Sequence, residues 1–261
     1  MIDLWFLMLA AKMATAAAIV VGCSLLAERS GPLIAALIAT LPISAGPVLV
    51  FLALEHDAAF MAESALGAMT SNIANAGLSC AYVLLAQRFG TVLSLAAALA
   101  AWVATLLLMR GLDLSFPVMT VATIAIYGGL HRLFRPYLAA RPDRPPGRPW
   151  YLIPMRAGFV AALAGTVTTV SAHVGPDWSG SLAALPVVLT SMIAMLQPRI
   201  GGPATAAVLA NGALPLIGFG LALAALHLTA VPLGSAAALS LALAIAVGWN
   251  LGVMQLNRRA R

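Results

Sequence analysis

The hydrophobic residues of this chain are gathered into long apolar runs, with few polar positions between them. Runs of about twenty residues recur from end to end, and a helix of that length crosses roughly 30 Å of hydrocarbon. Division of these runs at charged residues, Gly and Pro predicts about nine spans. They are approximately residues 4–27, 32–54, 58–87, 91–109, 115–134, 150–174, 178–196, 203–228 and 233–254. The pattern predicts an all-α, polytopic membrane bundle.

Charge is scarce in this chain and unevenly placed. Only 8% of the residues are charged, against about 25% in an ordinary soluble domain. The basic residues gather in the Pro- and Arg-rich stretch 135–150, in alternate loops and at the C-terminus, whereas the opposite loops hold Glu, Asp and His. The positive-inside rule then predicts a bacterial-type inner-membrane protein with its N-terminus outside and its C-terminus in the cytoplasm. Arg110 departs from this pattern, with Asp113 close to it in the sequence.

Two stretches of the chain repeat the same signal. GPLIAALIATLP occupies residues 31–42 and GPDWSGSLAALP occupies residues 175–186, so a shift of 144 residues superimposes them. The same shift places Lys12 on Arg156, and it places spans one to four on spans six to nine. Because the unmatched fifth span reverses the direction of the second copy, the sequence predicts an inverted-topology repeat, a design common in secondary transporters.

The predicted architecture is a 4+1+4 arrangement of spans, with helix breaks in spans two and seven. Residues 1–112 form the first repeat, residues 113–149 hold the fifth span and the basic loop, and residues 150–261 form the inverted second repeat. The segments at residues 9–42 and 155–186 resemble the start of small four-helix inner-membrane proteins of the GlpM-like kind. Those proteins share a basic residue in the first helix and a Gly…Ala…Leu-Pro signal in the second. The resemblance implies a fused pair of such units and supplies no activity.

Two prolines are predicted to break helices near the middle of the membrane. Pro42 lies about eleven residues into the second span, and Pro186 lies about as deep in the seventh. Proline removes a backbone N–H, and the carbonyls that it frees need partners from protein or water. One interpretation is a pair of broken helices facing a substrate, and the other is two kinks that serve packing. The predicted substrate site around the breaks comprises Pro42, Ser44, Gly46, Pro47, Pro186, Thr190 and Ser191.

Two cations and one carboxylate inside the spans are further candidates for the site. Lys12 lies inside the first span, about 12 Å from the outer surface, and Arg156 mirrors it toward the inner side. A charge at such a depth is costly, so it predicts a substrate anion, a protein partner or a side chain that snorkels to the interface. Glu63 in the third span is predicted to pair with Lys12, to carry a proton during transport, or to lie at the outer surface.

Amide side chains supply supporting polar groups in or near the spans. Asn72, Asn75 and Asn211 are predicted either to bind the substrate or to hold helices together, and Gln197 lies at a span end. The sequence contains no nucleotide-binding P-loop and no metal-ligand spacing, so ATP-driven transport, a cofactor and a metal are not predicted. It indicates no catalytic residue, and its net charge of +6 is explained by loop topology rather than by nucleic-acid binding.

The function that this pattern favours is secondary transport or export by alternating access between the two halves. The two cations favour a small organic anion, an amino acid or a similar solute, with proton coupling through Glu63 as one option. The alternatives are a flippase for a lipid or a lipid-linked phosphate, an assembly subunit without transport activity, and a lipid-acting enzyme. The expected partners are a small-molecule substrate, membrane lipids and, as a homodimer, a second copy of the chain.

We expect the basic loop at residues 135–150 to face the cytoplasm. In the test, Cys23 and Cys80 are replaced by Ala, and Asp143→Cys introduces a single thiol into the loop. A membrane-impermeant maleimide is expected to leave this thiol unlabelled in intact cells and to label it after the cells are opened. Labelling of intact cells would reverse the predicted orientation.

Overall fold

The computed structural model describes residues 2–29, 45–140 and 151–259, and this part of the chain is helical almost throughout, without a β-strand. Its α-helices are α1 (Ile2–Arg29), α2 (Ala45–Glu55), α3 (Ala58–Leu85), α4 (Thr91–Gly111), α5 (Phe116–Leu133), α6 (Leu152–Ala183), α7 (Val187–Ile200), α8 (Gly202–Asn211), α9 (Ala213–Leu233) and α10 (Ser235–Arg259). A 3₁₀ turn at Arg135–Tyr137 follows α5. The predicted all-α class is confirmed.

Several helices have the length and apolarity of membrane spans. Within the described residues, 5 helical stretches are long and apolar enough to cross a membrane: Phe6–Leu26, Thr91–Gly111, Ile153–Ile200, Gly202–Leu233 and Ser235–Leu256. Only 11%, 22% and 17% of the most apolar stretches of α1, α4 and α10 are buried, so most of their side chains lie on the surface of the bundle. Such a surface is stable in hydrocarbon rather than in water. The stretches do not include α3 or α5, and part of the predicted second span lies outside the described residues.

The helix α3 lies at the centre of the bundle and packs against α4, α5, α6, α8 and α9. It is buried along most of its length although it carries polar side chains, among them Asn72 and Asn75. Neighbouring helices bond to this part of α3, although Oδ1 of Asn72 has no hydrogen-bond partner among the described residues. The Tyr127 hydroxyl donates to the carbonyl of Asn72 at 2.6 Å, and the Trp102 indole donates to Oδ1 of Asn75 at 2.9 Å. A helix enclosed by protein does not need an apolar surface, so the buried polar side chains of α3 can serve contacts with other helices.

The central helix runs antiparallel to α9. Near the start of α3, the carbonyl oxygen of Ala62 lies 2.9 Å from Nδ1 of His227. Near its middle, Nδ2 of Asn72 donates to the carbonyl oxygen of Leu216 at 3.2 Å. Because the partner's residue number falls as the number along α3 rises, the two helices have opposite directions.

The helices α1 and α6 are also antiparallel to each other. Lys12 near the start of α1 shares a small cavity with Thr168 in the later part of α6. Ser24 near the end of α1 shares a larger cavity with Arg156, which lies near the start of α6. The two helices therefore pass one another in opposite directions.

The chain turns sharply within α6. Gly175 has φ 79° and ψ 175°, which interrupts the helix, and Pro176 follows it directly. A positive φ of this size is open to Gly and strained for other residues. Residues 176–183 then form a short helical segment, which ends before the non-helical Pro186. We call residues 176–183 the short segment.

The short segment packs on α3 with its backbone almost in contact. A Cβ atom on Gly180 would overlap the carbonyl oxygen of Ser64, and one on Gly67 would overlap the carbonyl oxygen of Asp177. Both positions face backbone rather than a flexible side chain, so no side-chain movement would relieve the overlap. Two glycines thus permit the close approach of the short segment to the central helix.

Replacing Gly180 by Ala is expected to destabilise the protein by about 2 kcal/mol or more, because the new methyl group must displace backbone atoms of α3. The matched control is Gly158→Ala on α6, where a Cβ would meet nothing within 4 Å. This control is expected to be neutral or slightly stabilising, because Ala favours a helix over Gly. Thermal unfolding of the two purified variants in detergent measures the difference, and equal melting temperatures would contradict the close contact.

Candidate functional site

Hydroxyl groups donate to backbone carbonyls at both helix breaks, the one at Gly175 and the one before α7. Ser71 on α3 donates to the carbonyl oxygen of Ala184 at 3.1 Å, and Ser64 donates to that of Pro176 at 3.1 Å. The carbonyl of Pro186 accepts from the hydroxyl of Thr190 at 2.8 Å. The Pro186 carbonyl also accepts from the backbone N–H of Thr190 at 2.8 Å. All three carbonyls at the ends of the short segment and of α7 are therefore hydrogen-bonded.

A cavity of about 500 Å³ lies at this break. The structure brings five residues of the predicted site to it: Arg156, Pro186, Ser191, Asn75 and Asn211. The rest of its described lining is mostly aliphatic, and no Asp or Glu is among the described lining residues. The cavity therefore combines one cation with a few polar groups on an apolar wall.

Arg156 is the only charged side chain among the described residues that line the cavity. Its Nε atom is buried and has no hydrogen-bond partner in the described part of the chain. The ion pairs found there use other residues, namely Lys12 with Glu55 and Arg110 with Asp177. A partly buried guanidinium without a counter-ion is energetically costly, and an anion in the cavity would offset that cost.

The amide side chains have different uses. Oδ1 of Asn75 accepts from Trp102, which leaves the NH2 group of Asn75 to donate beside the cavity. The NH2 group of Asn211 already donates to the carbonyl of Ala207 at 2.7 Å. Asn72 does not line the cavity and bonds to α9 instead, so it holds two helices together.

Lys12 forms an ion pair with Glu55 at the end of α2. The pair borders a second cavity of about 110 Å³, which Thr168 and Thr169 also line. Glu63 is exposed on α3, and the structure shows no contact between it and Lys12. Lys12 is thus paired with Glu55, the last residue of α2, and not with Glu63 as one prediction had it.

His56 lies beside this ion pair, between α2 and α3. Its Nε2 atom is 2.9 Å from the hydroxyl of Ser171, and its ring stacks on Phe60 at 3.7 Å between centroids. Burial lowers the pKa of His56 below its ordinary value, while the Asp57 carboxylate raises it and the Lys12 ammonium lowers it by smaller amounts. The imidazole is therefore neutral at pH 7.

The remaining predicted site residues are found in three situations. Pro42 and Ser44 lie outside the described residues. Pro47 is buried in α2 and Gly46 is partly buried there, and neither lines the cavity at the break. Thr190 bonds to its own helix through the carbonyl of Pro186.

Sequence reasoning missed the role of Arg110 at the end of α4. Its Nη1 atom lies 2.5 Å from the Asp177 carboxylate, and Nη2 donates to the hydroxyl of Ser181 at 2.8 Å. The guanidinium also lies 3.6 Å above the centre of the Trp178 ring. All three partners belong to the short segment, so Arg110 fastens that segment to α4.

One signal in the sequence pointed to this contact. Arg110 is a basic residue on the side where the loops are otherwise acidic, and Asp113 is close to it in the chain. Asp177 stands on the same side, directly after the Gly-Pro pair. A search for a carboxylate in the facing loops would have found Asp177 as an alternative.

No group of three or more His, Cys, Asp or Glu that could hold a metal occurs among the described residues. Comparison of the chain with protein-family models, with curated proteins and with solved structures finds no match. The residues of the site are therefore the evidence on which a function has to be proposed.

Asp177→Asn is expected to destabilise the protein by about 1–2 kcal/mol, because Arg110 loses a charged hydrogen-bond partner. Asp113→Asn is the matched control and is expected to be neutral. Asp113 has φ 44°, a conformation that Asn also tolerates. Thermal unfolding in detergent compares the variants. A larger loss for Asp113→Asn than for Asp177→Asn would contradict the ion pair described here.

Proposed function

We propose that this chain is a secondary transporter of a bacterial-type inner membrane, which moves a small organic anion by alternating access. The observation that carries the proposal is Arg156, which lines a cavity of about 500 Å³ at a helix break and whose Nε atom has no hydrogen-bond partner among the described residues. Ligand sites have volumes of about 300–1,000 Å³, so a small solute fits. A cation held in apolar surroundings without a protein carboxylate favours an anionic substrate.

An inverted repeat is the architecture that we propose for this transporter. It is supported by the antiparallel packing of α1 on α6 and of α3 on α9. Asn72 and Leu216, which form a hydrogen bond between α3 and α9, are separated by 144 residues. This is the shift that superimposes the two sequence signals, so a pair of equivalent positions is in contact. Equivalent positions meet at a twofold axis, and the proposed axis therefore passes between these two helices.

The proposed orientation follows from the basic residues of the loops, with the N-terminus outside and the C-terminus in the cytoplasm. A proton is the proposed coupling ion. Glu63 is the candidate carrier, because it is an exposed carboxylate on the central helix. Glu63 is not among the described residues that line the cavity, so the proposed coupling acts through movement of α3 rather than through contact with the substrate.

A lipid flippase is the second candidate function. The aliphatic lining of the cavity favours it, because an acyl chain would cover that surface well. A lipid phosphate would then take the place of the solute's charged group at Arg156. In both candidate functions Arg156 binds the negative charge of the ligand. A transported solute leaves the membrane, whereas a flipped lipid stays in it.

Transport is tested with purified protein in phosphatidylcholine vesicles under an imposed pH gradient. Uptake of radiolabelled leucine, glutamate, benzenesulfonate and phosphate is compared with that of protein-free vesicles. At least one negatively charged probe is expected to accumulate, and Arg156→Gln is expected to reduce its uptake about tenfold or more. Arg88→Gln, an exposed arginine outside the cavity lining, is the matched control and is expected to transport normally.

Flippase activity is measured in the same vesicles with fluorescent phosphatidylglycerol and a membrane-impermeant quencher. Uptake of a probe without lipid exchange supports the transporter. Lipid exchange without uptake of any probe would replace the transporter by the flippase. The absence of both activities in correctly inserted protein would overturn both proposals.

A further inference from the structure

We infer that the ligand of the Arg156 cavity is an amphipathic monoanion, with one negative charge on an apolar body. The inference deepens the proposed function and rests on it for the identity of the site. It comes from three observations: the number of charges on the cavity wall, the nature of the remaining wall, and the contrast with Lys12.

The charge on the wall sets the charge of the ligand. Arg156 is the single charged residue among the described lining residues, and no His, Asp or Glu stands beside it. A neutral ligand would leave the guanidinium without a counter-ion, and a dianion would bring an uncompensated charge into an apolar site. One negative charge on the ligand balances the positive charge of Arg156. The NH2 group of Asn75, whose amide oxygen is bound by Trp102, provides a further donor for that charge.

The rest of the wall sets the body of the ligand. Most of the remaining lining residues are apolar, among them Val20, Val160, Val187, Leu189 and Phe219. A small hydrated anion such as phosphate would leave this surface facing water. A hydrocarbon body covers it, and the removal of apolar surface from water stabilises binding.

The equivalent cation in the first half shows what Arg156 lacks. Lys12, related to Arg156 by the shift of 144 residues, is paired with Glu55 and borders a cavity of only about 110 Å³. The same shift relates Glu55 to Arg199, so the second half has no carboxylate at that position. The first half neutralises its cation within the protein, whereas the second half leaves the counter-ion to the ligand.

The experiment measures binding by calorimetry to the purified full-length protein in a neutral detergent. The probes share a body and differ in charge: benzenesulfonate, benzene-1,3-disulfonate and the neutral benzenesulfonamide. Methanesulfonate, naphthalene-2-sulfonate and octane-1-sulfonate vary the body at constant charge. We expect a monosulfonate with a ring or chain to bind about tenfold or more tightly than methanesulfonate, the disulfonate or the sulfonamide.

Variants separate binding from folding. Arg156→Gln is expected to lower the affinity for the best monosulfonate about tenfold or more, and Arg156→Lys is expected to retain part of it. Arg88→Gln is expected to bind normally. Because the guanidinium has no partner among the described residues, Arg156→Gln is also expected to keep or raise the melting temperature of the ligand-free protein. A lower melting temperature together with unchanged affinity would assign Arg156 a structural role and overturn the inference.

Two sources of such an anion are distinguished by competition. In phosphatidylcholine nanodiscs, added phosphatidylglycerol displaces the bound monosulfonate if the natural ligand is a lipid, and leaves it bound if the ligand is a soluble solute. Either result supports the amphipathic monoanion. Tighter binding of the disulfonate or the sulfonamide, or no binding of any monosulfonate at millimolar concentration, would overturn it.

The outcomes for the two proposals are separable. Arg156-dependent binding of a monosulfonate without uptake into vesicles would remove the transporter and leave the ligand class in place. Uptake of glutamate or phosphate that is insensitive to Arg156→Gln would keep the transporter and remove the ligand class. Only the failure of binding and of transport together would remove both.

Discussion

The structure depends on one constraint, which is that a broken helix in apolar surroundings must find new partners for its freed carbonyls. The helix is interrupted at both ends of the short segment, at Gly175 and before α7 at Pro186. Serines of α3 supply the hydroxyl groups that its two ends require, and two glycines let the backbones come close enough for these bonds. Two of the buried polar residues of α3, Ser64 and Ser71, are thus explained by the segment that they support.

Cations in apolar surroundings likewise need partners, which are negatively charged groups. Lys12 and Arg110 each meet a carboxylate, so their charges are balanced within the described part of the protein. Arg156 is held in the wall of a cavity without such a partner there. Proteins retain a costly feature of this kind where it serves binding. The contrast among three buried or half-buried cations is therefore more informative than the presence of any one of them.

The sequence predicted those features that depend on neighbouring residues. Apolar length gave the all-α class, and the Leu-Pro signal gave the break at Pro186. Arg156 was predicted as a candidate for the site around Pro186 and Ser191, because a cation within a span needs a partner, and the three residues line one cavity. Pairings between distant segments were not predictable in this way. Lys12 meets Glu55 rather than Glu63, because helix packing decides which of two nearby carboxylates comes within reach.

The enclosed position of α3 has a consequence for the synthesis of the protein. The side-chain amide of Asn72 donates to the carbonyl oxygen of Leu216 on α9. The ribosome synthesises α9 long after α3. Until then α3 is a helix with polar groups that a bilayer does not satisfy. The strongly apolar α4 follows after a short turn, and we expect the two to enter the membrane as a hairpin. The final burial of α3 then waits for the C-terminal half, so the two halves complete their folding as one unit.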